Sequence, residues 1–130
     1  MNPTYLETHF RAAASEEDWP AQFSILTAYA TIGEEWPPEQ NESADQTLEQ
    51  HLWARGGFLP RIMGYSPKTG HSEPGWAVDM DWQEACDLGE TFKQDAIYAV
   101  NGDELWVTYC EAPRRGLVRV GPFRERVTAG

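Results

Sequence analysis

Two runs rich in apolar and β-branched residues, 94–100 and 105–110, flank the dipeptide Asn101-Gly102. Asn-Gly takes up the positive backbone angles of a type I′ turn at little cost, and the twist of that turn matches the strands it joins. The spacing therefore predicts a β-hairpin. A hairpin alone is marginal in water, so the remaining chain has to cover its apolar face with further strands or helices.

The other elements follow from capping and periodicity. Asn2-Pro3 reads as a cap with proline at the first helical position, and Thr4 with Glu7 offers an alternative capping box. Tyr5, Leu6, His9, Phe10 and Ala13 fall at helical spacing, which predicts an amphipathic helix over residues 3–14 with His9 packed on its apolar side. Glu16-Glu17-Asp18 reads as a solvated turn. Residues 23–30 form a first strand running toward Gly33. Trp36-Pro37-Pro38 breaks the chain and opens a helix that Gly56-Gly57 stops. On that helix Asn41, Asp45, Leu48 and Leu52 make one stripe, polar in its first half and apolar in its second. A second strand is expected at 58–64, irregular or at an edge because of Pro60. A polar loop over 65–74 and a third strand at 76–80 come next. Asp81 caps a helix whose buried side is Trp82, Ala85, Cys86, Leu88 and Phe92. Residues 116–120 add a last strand before a frayed tail.

This order predicts one α+β domain over residues 1–130, a mainly antiparallel sheet with about three helices packed on it. The length suits a single core without staples. No run reaches the length of a membrane span and no leader pattern opens the chain, so the expectation is a cytoplasmic protein with no membrane partner. Cys86 and Cys110 have no Cys or His cluster around them and read as buried free thiols.

The formal charge of −11 is unevenly distributed. Residues 1–50 hold ten acids against one base, Arg11, whereas the basic extension 111–130 holds five arginines against two acids. Such a surface repels phosphate backbones, which argues against long nucleic acids as partners. The arginines are expected to pair with the protein's own acidic half; a grip on one phosphate is the alternative.

The most specific chemistry lies in residues 69–76, Thr-Gly-His-Ser-Glu-Pro-Gly-Trp. Side chains two apart on extended backbone point the same way, so Glu73 can accept from a ring N–H of His71 and orient it as a general base. His71 and Glu73 are the candidate catalytic pair. Asn41, Gln94, Thr27, Tyr29 and Asp45 are polar residues at element ends and are the candidate ligand-binding set. The bland alternative is that these side chains satisfy nearby backbone. Metal-ligand spacing and a nucleophile elbow are both lacking, so no metal or cofactor is expected.

With these residues laid out, the chain resembles a bacterial family catalogued as domain of unknown function 3293, over about residues 23 to 107. The resemblance is carried by the strand Ile25-Leu-Thr-Ala-Tyr29, by Asn41, Leu48 and Gly64, and by Gly70-His-Ser-Glu-Pro-Gly-Trp76. Ala85 and Gln94 complete it. Two departures stand out. Where the family usually continues the Thr-Ala-aromatic triplet with Asn-Pro, this chain has Ala30-Thr31, and a second helix asparagine is Asp45. The resemblance implies a residue set and no activity.

Three functional readings follow. The first is a protein that binds or acts on a small polar ligand in a pocket centred on His71 and Glu73. The second is a non-enzymatic interaction module whose acidic N-terminal half docks a basic protein. The third is nucleotide processing with His71 as acid or base and the arginine extension as a phosphate grip.

Overall fold

The computed structural model describes residues 1–13, 19–31 and 33–129. Its framework is a curled eight-stranded sheet in the order β7-β6-β5-β2-β4-β3-β1-β8. In chain order the strands are β1 (His9–Ala12), β2 (Gln22–Leu26), β3 (Arg61–Tyr65), β4 (Ser72–Val78), β5 (Ala96–Asn101), β6 (Glu104–Tyr109), β7 (Val118–Pro122) and β8 (Val127–Ala129). The helices are α1 (Pro3–Leu6), α2 (Pro38–Arg55) and α3 (Trp82–Thr91).

The sheet is mixed, because β1 and β8 run parallel while the other neighbours are antiparallel. This overturns the expected α+β architecture of about three helices packed on a mainly antiparallel sheet. Sheet dominates, and α1 is only four residues long. The predicted helix over 3–14 fails after its first turn. Asn2 does cap it, with its side chain accepting from the Thr4 amide. Past Leu6 the apolar positions satisfy two periods at once, and tertiary pairing decides between them. Phe10 and Ala12 point into the core as alternate residues of β1, between β3 and β8. The chain's end is not frayed: β7 and β8 form the two edges of the sheet. The expected turn at Glu16-Glu17-Asp18 lies outside the described residues.

The hairpin forms, but its turn lies one residue on: Asn101 pairs with Glu104, and Gly102 and Asp103 make the bend. Only Gly102 has a positive φ, 64°, so it is not the type I′ turn expected of Asn-Gly. Helix α2 matches its expected span, and α3 is capped by the Asp81 carboxylate accepting from the Gln83 amide. Glu7, the acidic partner expected in a capping box with Thr4, pairs instead with Lys68.

The core has two sides. Leu48 and Leu52 of α2 and Ala85, Cys86 and Leu88 of α3 pack on one face of the sheet with Leu26, Trp76 and Val78. The other face folds over itself around Phe10, Phe23 and Phe123, against which Trp19 packs. Curling lets a sheet bury this face without a second helical layer. Cys86 and Cys110 are free and buried; a hydrogen bond between them, then burial, pushes the Cys110 thiol up.

Candidate functional site

Strand β2 stops at Leu26, and the chain leaves the sheet there. Strand β4 continues past that point with Gly75, Pro74 and Glu73, still paired to Ile62, Met63 and Gly64 of β3. The predicted loop 65–74 is therefore shorter than expected: Tyr65 pairs with Ser72, and only residues 66–71 turn. Glycine is required at 75 by close approach, since a Cβ there would stand 2.8 Å from the Leu26 carbonyl oxygen. The departure of β2 leaves a cavity of about 930 Å³ between α1, the β3–β4 hairpin, the start of β5 and the segment leading to α2.

Thr27, Tyr29, Asn41, His71, Glu73 and Gln94 all stand on the wall of this cavity, and Asp45 does not. His71 Nε2 and Glu73 Oε1 are 3.1 Å apart, the geometry expected of side chains two apart. The imidazole is 70% exposed and the carboxylate 27% exposed. Both therefore face the opening rather than the core.

The other polar candidates are engaged with backbone, and they converge on one segment. Thr27 Oγ1 donates to the Pro74 carbonyl at 2.9 Å and accepts from the Tyr29 amide. Asn41 Oδ1 accepts from the Ala30 amide at 2.8 Å. Gln94, only 7% exposed, donates to the carbonyls of Tyr29 (2.7 Å) and Phe92 (3.2 Å). Thr31 Oγ1 accepts from the Asp95 amide. Residues 27–31 are thus held by β4, by α2 and by the connection after α3. Off the sheet, this segment has no ladder to satisfy its amides and carbonyls, and these side chains replace it.

Asp45 pins a different joint. Its carboxylate takes a two-point pair from Arg61 (2.9 and 2.8 Å) and a bond from Trp76 Nε1 at 3.2 Å. The Arg61 guanidinium also lies over the Trp76 ring. This fork ties α2 to β3 and β4 and commits the Asp45 carboxylate away from the cavity.

The inner wall contains groups that sequence reasoning missed. The Tyr98 hydroxyl donates to the Tyr5 carbonyl at 2.6 Å and lies 2.8 Å from Thr8 Oγ1. Burial pushes its phenol well above the usual tyrosine range, and the charge of Glu73 adds to this. Tyr5 donates to Asp95 at 2.8 Å, and its phenol is raised by burial and then by that carboxylate. Glu34, Glu35 and Trp36 form part of the rim. Their position between β2 and the polar end of α2 is the sequence signal for this; Trp36-Pro37-Pro38 breaks the chain, and its tryptophan also builds the rim. His9, expected on a helix, stands on β1 beside the Tyr65 ring; desolvation, then Arg126, lowers its pKa.

Residues 26–97, more than half of the chain, match the family described as protein of unknown function (DUF3293). The chain belongs to the DUF3293 family. The matched region is narrower than residues 23 to 107. It still spans the whole network from Thr27 to Gln94, including His71 and Glu73. No curated protein and no solved structure matches the chain.

The basic extension is tied by ion pairs to the end of the family segment and to the hairpin that follows it. Arg114 pairs with Asp95 and Glu111, Arg115 with Asp87 and Glu90, Arg119 with Glu104, and Arg124 with Asp103. Arg126 donates to the carbonyls of Leu6 and Thr8. The arginines do pair with the protein's own acids, but with those of residues 87–111 rather than the N-terminal half. A phosphate grip would have to break these pairs. Among the described residues, no helix is long and apolar enough to cross a membrane.

Proposed function

We propose that this DUF3293 protein binds a small polar ligand in the cavity beneath the His71–Glu73 pair. One observation carries the reading: six of the seven polar candidates line a single cavity of about 930 Å³, and two of them are left facing its opening. Pockets of this size, mixing apolar surface with a few convergent polar groups, are where small molecules bind. In this reading Thr27, Asn41 and Gln94 shape the wall, while His71 and Glu73 meet the ligand and can pass a proton to or from it. Buried free thiols suit a reducing compartment, so a cytoplasmic setting is part of the proposal.

The test is protein-observed NMR with a fragment set of neutral, anionic and cationic polar compounds, run on the parent and on His71→Ala. At least one class should shift amides of residues 27–31 and 71–76 together. His71→Ala should abolish that response while leaving the thermal midpoint close to the parent's. A destabilised His71→Ala variant together with a silent fragment screen would sink the reading.

A second reading keeps one favourable observation. Glu34, Glu35, Glu39 and Glu42 are all exposed, and among the described residues none forms an ion pair. A basic protein surface could dock there. If replacing the four glutamates with glutamine leaves salt-sensitive capture of basic proteins unchanged, this second reading fails.

A further inference from the structure

The cavity's charge is one-sided. Glu34, Glu35 and Glu73 line it, and among the described residues no lysine or arginine does. The nearby guanidiniums are committed elsewhere. Arg61 holds Asp45, Arg11 stacks on the Tyr65 ring, and Arg126 donates to the carbonyls of Leu6 and Thr8. On the inner wall Tyr98 is held neutral chiefly by burial, and the charge of Glu73 acts in the same direction. An anion entering here would lose hydration beside carboxylates. Among the described residues it would meet as its only basic side chain the His71 imidazole, already bonded to Glu73.

The remaining surface is aromatic and apolar. Tyr29, Trp36, Tyr65 and Tyr98 line the same cavity, together with Ile25 and Ile62. Ring faces attract cations electrostatically, most strongly where water is excluded, and they also accept an apolar body. A bare metal ion is a poor match, because no three His, Cys, Asp or Glu side chains among the described residues gather closely enough to hold one.

Resting on the proposed cavity, we infer that its ligand is an organic cation. A primary ammonium or guanidinium head pairs with Glu73 while Glu34 and Glu35 contribute their field from the rim, and a short aromatic or aliphatic body packs on the tyrosine and tryptophan rings. Glu73 provides the deepest of the three charges, being on β4 and mostly buried. Glu34 and Glu35 draw the cation in from an exposed segment that is neither helix nor strand.

The experiment is an NMR titration of the full chain with tyramine, tyrosol and 4-hydroxyphenylacetate. These share a phenolic ring on a two-carbon arm and differ in the charge at its end. Tyramine should shift amides of residues 27–31 and 71–76 and bind about tenfold tighter than tyrosol. The carboxylate should bind more weakly still. Glu73→Gln, which preserves side-chain volume, should weaken tyramine about three- to tenfold. The pair Glu34→Gln and Glu35→Gln lies on exposed backbone outside the sheet and should weaken tyramine without touching the fold. Equal or tighter binding of tyrosol or of the carboxylate at the cavity would overturn the charge assignment and leave the cavity reading standing. Tyramine shifts spread over the acidic face of α2, with none at the cavity, would reduce the effect to bulk attraction and overturn it too. Silence toward all three compounds overturns the inference alone if other fragments respond at the cavity, and overturns both readings if none does.

Discussion

The rim of the cavity and its back wall use the same kinds of residue for opposite ends. At the rim, His71 and Glu73 bond to each other, with the imidazole exposed and the carboxylate half-buried on the cavity wall. At the back, Asn41 and Gln94 are equally polar, but their bonds go to the chain leaving β2. A polar side chain spent on buried backbone is structural, because removing it strands a carbonyl or amide that has no other partner. One that satisfies only an exposed neighbour is free for a ligand. Polar character alone does not separate the two cases; the partner does.

The comparison can be broken at several points. Asp45→Ala should cost most, about 2 to 4 kcal/mol in urea denaturation, because it leaves Arg61 and Trp76 Nε1 without their shared acceptor. Asp45→Asn should cost less, as it keeps an oxygen for Trp76. Gln94→Ala should follow at about 2 kcal/mol, having lost bonds to two carbonyls in a buried place. Asn41→Ala, with one backbone bond, should cost about 1 kcal/mol. His71→Ala should stay within about 0.5 kcal/mol of the parent. If His71→Ala instead matches Gln94→Ala, rim and wall are not different in kind.

Alkaline pH probes the wall from another side. In the folded protein the Tyr98 phenol is raised above its ordinary range, chiefly by burial. Below that ordinary range both states hold the proton and the contribution is intact. Above it the unfolded chain ionises first, so stability should fall as pH rises past about 10. Unfolding followed by circular dichroism from pH 8 to 11 should show this slope in the parent and a shallower one in Tyr98→Phe. An identical slope in both would place the titrating group elsewhere.

Much of this division was hidden in the sequence. The stripe Asn41, Asp45, Leu48 and Leu52 and the pairing of His71 with Glu73 were legible, because helical and extended periodicities fix which side chains share a face. The destination of each polar group was not. Asp45 meets Arg61 sixteen positions away, and Gln94 reaches Tyr29 sixty-five positions away, contacts that only the fold creates. The first strand was hidden for a related reason. Phe10 and Ala12 fit a helix locally, and their sheet identity comes from Gly64, Ile62 and the C-terminal Val127 and Ala129. Edge pairing between the two ends of a chain has no local signature.

The proposed division is between a rim that serves a ligand and a wall that serves the fold. Urea midpoints of the parent and of the double variant His71→Ala, Glu73→Gln, each measured with and without saturating tyramine, test it most directly. Without tyramine the two midpoints should coincide, and with it only the parent's should rise, because a ligand stabilises only the state that binds it. A double variant that unfolds earlier without tyramine, or one that tyramine stabilises as much as the parent, would contradict that division.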